Sequence, residues 1–308
     1  LTLPIIKGMS QSNTKNISLG IGLAVLATLI WSGNFVVARA VNKSIPPIAL
    51  NFYRWLIASI LILPFAWHQL KKAWPLIKKA PWYFFWIALA GISLFNTFVY
   101  VGAHYTSAIN LALIGTTSSP IMSVLFARIF LKEKIGLHKL LGMLLCITGV
   151  LYLLCHGHWG NLKTLHFGEG DLWVLLAAFC FAVYNTMVKK KPSGIPAPAF
   201  LFTIFSLGTL LVLPFFIWES GHYPSIAWNG ELLLAVFYLG LGASVICFLI
   251  WNIAIHHLGA GRTALFGNLI PVFSSLEAVI FLHEAFTPVH IIGMILVFSG
   301  IIIANFKS

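Results

Sequence analysis

Ten apolar runs, each long enough to cross about 30 Å of hydrocarbon at 1.5 Å per residue, constrain this chain more than any other feature. They fall near 17–42, 48–67, 82–104, 108–131, 137–155, 171–188, 198–217, 231–256, 262–283 and 287–305. The breaks are short and polar: Pro46-Pro47, the basic stretch Lys71 to Lys79, Ser107, Lys132 to Lys139, His156 to Gly170, Lys189 to Pro196, Glu219 to Gly230, Gly259 to Gly261, and the turn before Pro288. In hydrocarbon a run of this kind is stable as a helix, because only a helix satisfies its own backbone polar groups. The expectation is an all-α membrane protein of ten transmembrane helices. Residues 1–16, with Lys7, Ser10, Gln11, Asn13 and Lys15, read as a cytoplasmic tail.

Charge sets the orientation. With the N-terminus inside, fifteen basic residues fall in cytoplasmic segments, from Lys7 and Lys15 through Lys71, Lys72, Lys78 and Lys79 to Lys307. Arg39, Lys43 and Lys163 are left on the other side and Arg54 within a span. This bias places both termini in the cytoplasm. Charged residues make up 8% of the chain, against about 25% in soluble domains, so the net charge of +12 reflects scarce acids and does not point to nucleic acid. The four cysteines sit in apolar stretches, in neither a disulfide nor a zinc spacing.

The chain repeats itself. Residues 26–65 lie over 176–215 at a constant offset of 150, with Leu26-Ala27 over Leu176-Ala177, Ile45-Pro46 over Ile195-Pro196, and Leu63-Pro64-Phe65 over Leu213-Pro214-Phe215. At an offset of 151, Pro120 and Glu133 match Pro271 and Glu284, and Gly142 and Gly149 match Gly293 and Gly300. The reading is two five-span halves, 17–155 and 171–305. An odd number of spans turns the second copy upside down, an architecture common among secondary transporters with substrate at the repeat interface.

A family resemblance rests on these same positions. Tyr105-Thr106-Ser107-Ala108 followed by Pro120, Glu133, Gly142 and Gly149, repeated as Leu258-Gly259-Ala260, Pro271, Glu284, Gly293 and Gly300, resembles the EamA repeat of the drug/metabolite transporter superfamily. Trp31 and Arg54-Trp55 match as well. The resemblance implies a basket of ten helices and a central cavity lined by spans 1, 3, 4, 6, 8 and 9. It also implies export or exchange of amino acids, as in YddG-like exporters, or of other metabolites.

Polar groups inside spans are the candidate site. Glu277 and Arg54 are ionisable residues where ionisation is costly, hence candidates for coupling or charge recognition. Their depths allow a charge pair, so a structural pair or a neutral carboxyl stands beside proton coupling or recognition of a substrate amine. Trp31, Asn34 and Phe35 share one face of span one and map onto Phe181, Tyr184 and Asn185. Asn96, Tyr100, Thr116, Thr117, Ser244, Trp251, Asn252, Asn268 and Ser275 complete the candidate lining, each equally suited to bonding a neighbouring helix. Pro120 and Pro271 are candidate kinks, and Glu133 and Glu284 read as helix-end caps. The glycine pairs suit close helix contact.

No Walker loop and no hydrolase or zincin motif is present. No catalytic residue, metal or cofactor is expected. The reading is a secondary carrier of a small molecule in the bacterial inner membrane, monomeric or homodimeric, with amino-acid export leading. Exchange of a larger metabolite such as a nucleotide derivative, multidrug efflux, and a membrane scaffold or receptor are the alternatives.

Overall fold

The computed structural model describes residues 5–130, 136–155, 157–160, 168–188, 190–258 and 266–305. Glu133, Lys163, Lys189 and Gly259 to Arg262 lie outside them, as do the side chains of Pro120 and Asn268. Ten helical spans follow one another: α1 (Ile5–Ala40), α2 (Pro47–Lys78), α3 (Pro81–Ala88 continued through Leu89–Leu94 and Phe95–Tyr105), α4 (Ala108–Phe130) and α5 (Leu137–Leu154). Then come α6 (Glu169–Val188), α7 (Ala197–His222), α8 (Gly230–Phe237 continued through Tyr238–Ile246 and Cys247–Leu258), α9 (Ile270–Leu282) and α10 (Pro288–Asn305). Among the described residues, six of them, α1 to α3 and α6 to α8, are long and apolar enough to cross a bilayer.

Three boundaries differ from the hydropathy reading. The polar N-terminal stretch is helical from Ile5 and runs unbroken into the apolar run. The basic stretch after Trp67 is the last two turns of α2 and not a break. Lys71 lies 4.7 Å over the Trp67 ring and Lys78 5.3 Å over that of Trp74, so cation–π pairs at i, i+4 hold the helix beyond the hydrocarbon. Likewise α7 runs on to His222, past the expected break at Glu219, because the Glu219 carboxylate is buried against the start of α2.

The halves interlock with two-fold logic. α1 packs on α8 and α9 as α6 packs on α3 and α4; α2 lies on α7, and α5 on α10. Counterpart residues meet at the axis. The Trp55 and Phe205 rings, 150 positions apart, have centroids 4.6 Å apart. The Cys146 thiol approaches the carbonyl of Val297, its counterpart at 151, at 3.5 Å. The repeat glycines build the α5–α10 contact: a Cβ on Gly300 would lie 2.6 Å from the Gly142 carbonyl oxygen, and one on Gly149 3.1 Å from that of Gly293. Only hydrogen side chains let these backbones approach so closely.

Both third spans carry a π-helical segment, Leu89–Leu94 in α3 and Tyr238–Ile246 in α8. Ser93 and Ser244, counterparts at 151, donate to the carbonyls five residues back, Ala88 at 3.5 Å and Leu239 at 2.9 Å. The extra residue in each π turn rotates the rest of the helix relative to its start. It re-aims Asn96 and Tyr100 in one half and Ser244 in the other.

Candidate functional site

Arg54, 4% exposed two turns into α2, organises the first half of the interior. Its Nη1 donates to Asn34 Oδ1 on α1 at 2.5 Å, and to Asn96 Oδ1 and Tyr100 Oη on α3 at 2.9 and 2.6 Å. Its Nε donates to Ser244 Oγ on the π segment of α8 at 2.9 Å. Tyr100 in turn donates to Asn34 Oδ1 at 3.2 Å. Four of the residues singled out from sequence thus converge on one guanidinium, and every one of them is neutral. These bonds leave Nη2 unused.

Below the guanidinium runs an aromatic wall. Arg54 sits 4.7 Å over the Trp55 ring. Trp55 meets Phe205, Phe205 meets Phe248 at 5.7 Å, and Phe248 meets Trp31, which tilts against Trp251 at 5.0 Å. Trp31 is held by a 2.8 Å bond from its Nε1 to the Ala243 carbonyl on α8. The chain of rings therefore joins α2, α7, α8 and α1.

Glu277 occupies a separate place. Its Oε1 lies 2.8 Å from Ser32 Oγ on α1, a hydroxyl that also reaches the Leu29 carbonyl of its own helix at 2.6 Å, while Oε2 is buried without a partner. It forms no bond with Arg54, so the depth-matched charge pair that the sequence allows is absent. The reason lies in α1. Ser32 faces Glu277 and Asn34 faces Arg54, two residues apart and so about 200° around the helix. Between them, Gly33 receives the Tyr238 hydroxyl of α8, which donates to the Ile30 carbonyl at 2.5 Å.

The other candidates fall in different places. Tyr184 stacks on Phe181 and lies against Gly91 in the π segment of α3. This is the same tyrosine-on-glycine interlock as Tyr238 on Gly33, with the roles of the two helices exchanged. Phe35 is buried in the apolar cluster of α1, α3, α4 and α6, and Asn185 is half-buried. Thr116 and Ser275 bond their own helices, to the Ala112 and Pro271 carbonyls at 2.6 and 2.7 Å. Thr117 is buried without a partner. Asn252 is exposed, its amide turned back to the Phe248 carbonyl. α4 runs helically through Pro120. Pro271 stands in the first turn of α9, directly after a 3₁₀ turn Gly267–Leu269 that follows the helical Phe266.

Two carboxylates act as caps across the fold. Glu219 of α7 accepts from the Ile48 and Ala49 amides at the start of α2, at 3.1 and 2.7 Å. Glu284 accepts from the Ala108 and Ile109 amides at the start of α4, at 2.8 and 3.2 Å. The sequence marks Glu284 as a cap, but the helix it caps belongs to the other half. Replacing Glu284 with alanine strands two amides beside a helix dipole, and should cost about 1–2 kcal/mol. A lowered melting temperature of the purified protein, with an unchanged circular dichroism spectrum below the transition, is the expected readout.

Among known proteins the chain matches the EamA-like transporter family twice, over residues 18–155 and 168–306. The chain belongs to that family. The two matches divide this EamA protein at the same junction as its internal repeat. It is 27% identical over 289 residues to an uncharacterized transporter of Archaeoglobus fulgidus, covering 93% of the EamA chain and 97% of the relative. It is 28% identical to the uncharacterized transporter YyaM of Bacillus subtilis, over 93% of this chain and 94% of that one. The uncharacterized transporter YetK of the same organism is 26% identical, with 95% and 87% covered. A solved crystal structure superposes with a TM-score of 0.65 at 20% identity, over 94% of the EamA chain and 96% of its own, a likeness of fold. This EamA protein is accordingly a multi-pass membrane transporter of the drug/metabolite type.

Proposed function

We propose that this chain is a gradient-driven or exchange carrier that exports neutral or aromatic amino acids across the bacterial inner membrane. Both termini are cytoplasmic, and the two halves rock about their shared axis to give alternating access. The observation that carries this reading is Arg54. Its guanidinium stays charged at any physiological pH, is bonded only to neutral groups, and keeps Nη2 out of those bonds. A substrate carboxylate is the group that completes it. The aromatic wall from Trp55 to Trp251 offers π-faces to a substrate side chain.

Exchange of a nucleotide derivative is the weaker reading, because a polyanion calls for several buried cations. Among the described residues, Arg54 alone is a buried cation. Multidrug efflux draws on the same aromatic wall but gives Arg54 nothing to do.

Counterflow in proteoliposomes tests the proposal. Vesicles loaded with phenylalanine should take up labelled phenylalanine saturably, with exchange of its decarboxylated amine at least about tenfold slower, the value of one charge-assisted hydrogen bond. If no amino acid shows saturable counterflow, the cargo assignment fails. If amine and amino acid exchange equally, Arg54 does not read a carboxylate.

A further inference from the structure

Where α1, α4 and α9 meet, Val36, Ile109, Leu113 and Ala278 form one apolar cluster. α4 and α9 run antiparallel there, since Glu284 at the end of α9 caps the start of α4. One helical turn deeper, each helix replaces its apolar residue with an oxygen. Val36 is followed inward by Ser32, Leu113 by Thr117 and Ala278 by Ser274, all at a spacing of four residues, with Glu277 beside Ser274. Ser32 Oγ bonds Glu277 Oε1 at 2.8 Å, which ties this layer together.

The layer is short of partners. Thr117 Oγ1, Ser274 Oγ and Glu277 Oε2 are all buried with no hydrogen bond, and Thr117 and Ser274 are 2% and 0% exposed. Hydroxyls inside these helices normally return to the carbonyl four residues back, as Thr28, Thr116, Thr186, Thr203, Thr209 and Ser275 do. Thr117 and Ser274 do not, nor do Ser59 and Ser119. Pro120 has no N–H, so it deprives the Thr116 carbonyl next to Thr117 of its helical partner. Buried polar atoms are almost always bonded, and a carboxylate is costly at this depth.

We propose that this layer is a sodium site, with Glu277 Oε2, Ser274 Oγ and Thr117 Oγ1 as ligands and Ser32 holding the carboxylate in place. A water molecule would leave the carboxylate charge uncompensated, because Arg54 bonds elsewhere. A proton on Oε2 would cancel the charge but engage only one of the two hydroxyl oxygens. A small cation takes lone pairs from all three oxygens and cancels the charge. In inverted-repeat carriers the coupling-ion sites lie at the repeat interface. The ligands come from both halves, Ser32 and Thr117 from the first and Ser274 and Glu277 from the second. Occupancy therefore depends on how the halves sit against each other, and that dependence would couple sodium to transport if the carrier reading above holds.

Thermal unfolding of the purified full chain, with sodium chloride exchanged for potassium chloride at constant ionic strength, tests the site without any substrate. Sodium should raise the melting temperature saturably by about 3 °C, and potassium should not. Ser274→Ala and Thr117→Val should each move the half-saturating sodium concentration about tenfold higher, and Glu277→Gln should abolish the shift. Identical curves in sodium and potassium overturn the proposal. So does a sodium shift that persists unchanged in Ser274→Ala and Thr117→Val, or a melting temperature that follows pH and not sodium. If Glu277→Gln does not fold, the wild type and the two hydroxyl variants still decide. Failure of amino-acid counterflow leaves this measurement standing, and a missing sodium effect leaves the counterflow result standing.

Discussion

Arg54→Ala should abolish transport while leaving a folded but less stable protein. The guanidinium bonds α1 through Asn34, α3 through Asn96 and Tyr100, and α8 through Ser244. Its loss strands the Asn96 amide oxygen in a site with almost no access to water, at about 1–3 kcal/mol, and leaves Asn34 Oδ1 with the Tyr100 hydroxyl alone. It also removes the charge proposed to receive substrate carboxylate. Arg54→Lys separates the two effects. An ammonium restores the charge but cannot span the fork from Ser244 on one side to Asn34 and Asn96 on the other. The expected order in proteoliposome counterflow is wild type, then Lys at about a hundredth of that rate, then Ala at background. Ser244→Ala, which removes only the Nε partner, should stay within about tenfold of wild type. Wild-type rates in Arg54→Ala would show that the cluster is structural and the substrate bound elsewhere.

Gly33 should not tolerate a side chain without loss of activity. A Cβ there would overlap the Tyr238 hydroxyl, and the residues on either side, Ser32 and Asn34, hold Glu277 and Arg54. One added methyl therefore disturbs both charged sites at once. Gly33→Ala should cost about 1–3 kcal/mol, the usual range for overpacking, and should lower counterflow more than its loss of stability explains. Tyr238→Phe removes the atom nearest the added methyl. It gives up one bond to the Ile30 carbonyl and should be mild alone, yet it should recover part of the loss when combined with Gly33→Ala. A positive coupling in that double-mutant cycle identifies the contact. Strict additivity would mean that the glycine is needed for some other reason.

The span count, the repeat and the family were legible in one dimension. The bilayer acts on each segment separately: it demands about twenty apolar residues and a closed set of backbone bonds. The glycines of the repeat could be read as contact points, and they form the α5–α10 interface. Where hydropathy was used to end helices it fell short. Tryptophan–lysine pairs carry α2 past the hydrocarbon, and a buried glutamate carries α7 to His222.

The candidate site was legible as a set of residue types and not as an arrangement. Asn34, Asn96, Tyr100, Ser244 and Arg54 all stand out as polar groups in apolar runs, but nothing local says that they share one centre. The π segments, which carry no marked local sequence signal, re-aim the third spans and bring Asn96, Tyr100 and Ser244 to the arginine. Ser32 carries no signal in the sequence, because a serine in a helix usually bonds its own backbone, and here it reaches both the Leu29 carbonyl and Glu277.

The sequence by itself determined that this chain folds as ten apolar helices in two repeated halves. Both follow from hydropathy and self-similarity along the chain. Only the tertiary structure decided that Arg54 and Glu277 stand apart, on opposite sides of α1, each with its own neutral partners. Rotation of one helix against another is set by contacts such as Tyr238 on Gly33, between residues more than two hundred positions apart, and no pattern along the chain encodes that angle.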